Sequence, residues 1–173
     1  FLPDRIDFNY NYQQGTSVCK NIDGLLITAK ELIEKVFSVF SGTIGNRLAL
    51  NCRFALENMT EDDLSQFCNR FTKPLSAYNQ EAFVEWSVRF NSRGKCKISE
   101  DKKEECNRIT EMMQMDAQQS PIQGTDNHGV VLSIDVNTLQ QNMSQRFQYN
   151  HLIRFDNEAA KFIADITKEV EGC

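Results

Sequence analysis

Residues 76–90, SAYNQEAFVEWSVRF, decide the fold class of this chain. Tyr78, Ala82, Phe83, Trp86 and Phe90, with Leu75 ahead of them, recur at helical spacing. Val84, Trp86, Val88 and Phe90 also alternate with Glu85, Ser87 and Arg89, as the two faces of a strand would. The helix is the expected state, because Pro74 breaks the chain, Ser76 can cap a helix beginning there, and SAYNQEAF leads in without interruption. In either state Trp86 belongs to the core.

Helical patterns on both sides reinforce that choice. Residues 21–40, NIDGLLITAKELIEKVFSVF, carry Ile22, Leu25, Leu26, Ala29, Leu32, Ile33, Val36, Phe37 and Phe40 on one broad face, with Lys30, Glu31, Glu34 and Lys35 opposite. This stretch reads as the helix against which the rest of the domain packs. Residues 46–57 place Leu48, Cys52, Ala55 and Leu56 at helical spacing. Thr60 then reads as an N-cap, followed by Glu61, Asp62 and Asp63 where the helix dipole favours negative charge. Ser99 is expected to cap a helix running to about Asp116, a helical pattern resumes through Leu139, Met143 and Phe147, and a last helix opens at Asp156. Period-two alternation is clearest at 130–136 and at 5–12, the latter a strand or an extended aromatic arm. The expectation is a mainly α, single-domain, disulfide-stapled bundle of five to seven helices spanning 1–173. It has an N-terminal arm (1–18) and a long loop (117–129); any small β element would come from 5–12, 83–90 and 130–136, and α+β is the alternative.

Six cysteines, Cys19, Cys52, Cys68, Cys96, Cys106 and Cys173, form an even set without a CxxC pair, which favours disulfides over a zinc site. Spacing suggests Cys52–Cys68 across a helical hairpin, Cys96–Cys106 as a local ring and Cys19–Cys173 joining the ends. Two acceptor sequons, at Asn58 and Asn142, point the same way, toward a secreted glycoprotein. The chain starts at Phe1 without a leader, as it would after signal-peptide removal. Acidic side chains outnumber basic ones, 24 to 19, so binding to a phosphate backbone is disfavoured. No apolar run reaches the roughly 18 residues of a membrane span, so membrane insertion is not expected.

Motifs of catalysis are missing. His128 and His151 stand in no HxxxH or HExxH arrangement, and there is no GxSxG elbow or phosphate-cradling glycine loop. The methionines of EMMQMD, 111–116, read as adaptable core filler, so no metal and no cofactor are expected. No motif carries a resemblance to a known family. The chain is therefore read first as a secreted, non-catalytic binding protein that contacts an extracellular protein or receptor. The second reading is a carrier of a small apolar ligand in a helical cavity among Phe37, Phe83, Trp86, Phe90 and Met112. The third is a carboxylate-dependent hydrolase with no nameable acid pair. Arg89, Arg93, Lys95 and Lys97, in RFNSRGKCK, are the candidate anion-binding patch, otherwise a solvated loop around Gly94.

Overall fold

The structure, a computed structural model, describes residues 9, 22–40, 42–73, 75–78, 83–115 and 128–171. In chain order these form α1 (Ile22–Val39), β1 (Ala49–Leu56), α2 (Glu61–Phe71), a 3-10 turn (Ser76–Tyr78), β2 (Ser87–Lys97), β3 (Lys103–Met115), β4 (Gly129–Thr138) and α3 (Tyr149–Glu171). The strands make one antiparallel sheet in the order β1-β4-β3-β2. The protein is therefore an α+β fold, and the helical bundle is overturned.

The corrections share one cause. Residues 46–57 read as a helix through Leu48, Cys52, Ala55 and Leu56, yet form β1, whose Leu50, Cys52, Phe54 and Leu56 register against Val136, Ile134, Leu132 and Val130 of β4. Those four β4 side chains are 0–1% exposed, and a face that apolar needs a partner strand as apolar as β1 on the same side. Residues 76–90 give only the short turn before extending into β2, and the expected helix from Ser99 to Asp116 is instead the turn after β2 and strand β3. Tertiary pairing overrides local helical spacing in all three stretches. Residues 139–147 are irregular apart from an isolated bridge between Gly45 and Phe147, and α3 opens at Tyr149, seven residues before Asp156. The strand at 130–136 is found, as β4. The pattern at 5–12 lies outside the described residues but for Asn9, and so does most of the loop 117–129.

The helix that organises the core is α3, not α1. Phe155, Ala159, Ile163 and Val170 of α3 are buried, and the helix crosses the sheet to touch both edge strands. One cluster joins Ile163 and Val170 to Leu64, Phe67 and Cys68 of α2, to Trp86, and to the inward side chains of β4. A second joins Phe155 and Ala159 to Leu48, Val136, Phe147 and the Cys96–Cys106 bridge. On α1 only Ile33 is buried among the described side chains. Leu32 and Phe40 of its expected inner stripe are exposed, and the helix leans on α3 through Phe37 against Tyr149. Trp86 is core, stacked on Phe67 at 5.8 Å. The Thr60 cap is present in full. Its hydroxyl accepts from the Asp63 amide (3.1 Å), while the same hydroxyl (2.7 Å) and the Thr60 amide (2.9 Å) both donate to Asp63 Oδ2, and these two donors, the hydroxyl first, hold the Asp63 carboxyl below the usual range. Gly129 opens β4 where any side chain would run into the Leu56 carbonyl, so glycine sets the close approach of β4 to β1.

Candidate functional site: a pocket between the sheet and α3

Cross-strand register assigns the sides of the sheet. The inward positions of β2 are Val88, Phe90, Ser92, Gly94 and Cys96, and those of β3 include Gln114, Met112, Thr110, Arg108 and Cys106. Beneath β4 and β1 the inward side chains are large and fill the space to α3. Under β2, Ser92 and Gly94 are too small to do so. The sheet and helix therefore part, leaving a pocket of about 290 Å³ whose apolar walls are Phe90, Met112, Phe162, Ile166 and Val170. That volume equals about ten molecules of liquid water, at the lower limit of small-molecule sites.

Arg108 projects into this space. Its guanidinium lies 5.0 Å from the centroid of the Phe162 ring, a cation–π contact. Gly94 makes room for it: a Cβ there would come within 3.3 Å of both Cζ and Nε of Arg108. The Nε–H is buried and has no hydrogen-bond acceptor among the described residues. Among the described residues no carboxylate pairs with Arg108. Thr110 and Ser92 add hydroxyls to the wall, and Glu169 stands at the rim, where its main-chain carbonyl accepts from Arg70 Nη2 at 3.2 Å. A guanidinium stays charged at any ordinary pH, and a buried donor without an acceptor costs about 1–3 kcal/mol, more when charged. Among the described lining residues there is a single carboxylate, Glu169, with no histidine and no cysteine, and no base among the described residues is in hydrogen-bond contact with the Ser92 or Thr110 hydroxyl.

The residues expected to line a ligand cavity are only partly gathered. Phe90 and Met112 share the pocket, Trp86 lies against Phe67, Phe37 packs on Tyr149 and Phe83 is 39% exposed. The cavity is also not a helical one, since strands supply one of its walls. Arg89, Arg93, Lys95 and Lys97 belong to strand β2, not to a loop; they occupy alternate positions, so all four share the outer face of the sheet. Arg89 is paired there with Glu111 at 3.1 Å. The three methionines of 111–116 diverge, with Met112 turned inward and Met113 and Met115 on the opposite side of the strand. Among the described residues no group of three or more His, Cys, Asp or Glu could hold a metal ion.

Of the expected disulfides, Cys96–Cys106 is formed, diagonally across the β2–β3 hairpin with its Cα atoms 6.4 Å apart. Cys52 and Cys68 are instead free and buried, on β1 and α2. The helical hairpin that would have faced them at one height does not exist. Burial pushes the Cys52 thiol up to about 11, which keeps it protonated and unreactive. Cys19 and Cys173 lie outside the described residues. No helix among the described residues is long and apolar enough to cross a membrane.

Arg108, Ser92 and Thr110 are not singled out by sequence, and Phe162 is legible there only as part of the buried face of the last helix. Their one signal, a charged residue at an inward strand position, exists only once the register of β3 is known. Comparison with protein-family models, with curated proteins and with solved structures finds no match to the chain.

Proposed function

We propose that this chain is a secreted binding protein that holds a small, partly apolar molecule between its sheet and α3. The observation that carries the reading is the apolar-walled pocket under Phe90, Phe162 and Ile166, in a sheet whose other inward positions are filled. Three features support a secretory setting. The Cys96–Cys106 bridge is one. The others are the two sequon asparagines: Asn58, in the turn between β1 and α2, and Asn142, exposed in the segment after β4. Calorimetric titration with 1-octanol, a neutral probe of suitable size, tests the pocket. Saturable one-to-one binding that is lost when Ile166→Trp fills the cavity is expected. Absence of saturable binding to the unaltered protein sinks the reading.

A second reading, contact with an extracellular macromolecule, is favoured by one observation. Arg93, Lys95 and Lys97 are exposed on one face of an edge strand, where alternate side chains fall about 6.6 Å apart. Such a row suits a sulfated glycan. Retention on immobilised heparin at about 0.15 M salt, abolished by replacing all three with Ser, supports it, and elution in the void volume refutes it.

A further inference from the structure

The geometry points to a ligand class for the pocket: a small amphipathic acid, its carboxylate paired with Arg108 and its apolar body lying along Phe90, Phe162 and Ile166. This rests on the small-ligand reading above. Three independent observations converge on it. Among the described residues the Nε–H of Arg108 is buried without an acceptor, a cost that none of their contacts relieves. Its charge is met by an aromatic face and, among the described residues, by no acid. Gly94, the only inward position of β2 without a side chain, lies where a side chain would press on the guanidinium, so the strand accommodates the group in a fixed place.

A carboxylate is the ligand chemistry that answers all three. One oxygen meets an Nη–H that faces the pocket, and the other takes Nε–H, now closed to a water molecule, once the guanidinium turns toward the ligand, giving the buried donor a charge-assisted partner. The interaction is formed beside Met112 and Phe162, where water competes less than at an open surface. A neutral ligand of the same shape gains only the apolar walls and leaves Nε–H unpaired. A cationic one meets Arg108 with like charge.

Titration of the intact protein with sodium octanoate, 1-octanol and octylamine tests the assignment. Octanoate is expected to bind at least ten-fold more tightly than octanol, with octylamine weakest. Arg108→Met should bring octanoate down to the level of octanol, and Arg108→Lys should restore part of the preference. If octanol binds and octanoate binds no better, the acid assignment falls while the pocket reading stands. If neither binds, both fall. A preference for octanoate that survives Arg108→Met removes Arg108 from the role. The comparison of octanoate with octanol on the unaltered protein needs no variant, so it decides even if Arg108→Met folds poorly.

Discussion

Removing the carboxylate of Glu104 should loosen the segment between β4 and α3. Arg146 donates to Glu104 Oε1 from both Nε (2.9 Å) and Nη2 (2.7 Å). Its Nη1 serves the carbonyls of Asn46 (2.6 Å), Asn142 (2.8 Å) and Ser144 (3.0 Å), and the guanidinium lies 4.3 Å from the Phe147 ring centroid. One side chain therefore fastens residues 142–147 to β3 and to the entry of β1. The two side chains are only 10% and 13% exposed, so the pair is not a surface bridge of negligible worth. Breaking a fully buried pair costs about 3–5 kcal/mol; with a tenth of each side chain in water, about 2–4 kcal/mol is the reasonable figure for Glu104→Ala. For a domain of this length 1 kcal/mol moves Tm by about 2–4 °C, so a central loss of ~3 kcal/mol lowers Tm by about 6–12 °C. Thermal unfolding followed by circular dichroism measures it. In a double-mutant cycle, Glu104→Ala with Arg146→Met should cost less than the sum of the single changes, because neither charge is then left buried alone. A Tm within about 2 °C of the unaltered protein for Glu104→Ala would refute the reasoning.

Asp156 is half-buried on α3 and meets no cation or hydrogen-bond donor among the described residues, and burial pushes its carboxyl up to about 7. Below about pH 4 it is protonated in folded and unfolded chains alike and has no effect; between about 4 and 7 only the unfolded chain ionises, so stability falls as pH rises and the loss is complete above about 7. Asp156→Asn should therefore raise stability at pH 8 by about 2–4 kcal/mol and change nothing at about pH 3.5, as urea unfolding at the two pH values will show. Thr60→Ala removes the capping hydroxyl of α2 and should cost about 1 kcal/mol in the same assay. Replacing Cys96 and Cys106 together by Ala opens a ten-residue loop and should cost about 2–3 kcal/mol, with an unchanged Tm meaning that the bridge contributes nothing to the fold.

The legible and illegible parts of the sequence divide along the pocket. β4 was readable because Val130, Leu132, Ile134 and Val136 keep a strict alternation, and α2 because its cap and acidic first turn are local signals. In β1 the alternation Leu48, Leu50, Cys52, Phe54 and Leu56 was present but competed with helical spacing through Cys52, Ala55 and Leu56, and no local rule chooses between them. In β2 and β3 the pattern is broken. The inward positions that should read apolar are Ser92 and Gly94 on one strand and Arg108, Thr110 and Gln114 on the other. Arg108 carries the guanidinium, and Ser92, Gly94 and Thr110 flank it or line its wall. Departures from the two-residue period hid the strands, and the same departures create the cavity. The prominence of α1 misled for a different reason: its stripe is long and regular, but α3, with Phe155, Ala159 and Ile163 fully buried, is the helix laid on the sheet.

The most direct measurement is the side-chain Nε–H resonance of Arg108 in a ¹⁵N–¹H correlation spectrum recorded as octanoate is added. Among the described residues Arg108 Nε is the buried donor without an acceptor, and on binding its proton signal should move downfield and sharpen in a saturable way. Backbone shifts should be confined to the neighbourhood of Phe90, Ser92, Thr110, Phe162 and Ile166. A resonance that stays in place while the ligand saturates elsewhere, for example around Phe37 and Tyr149, would contradict it.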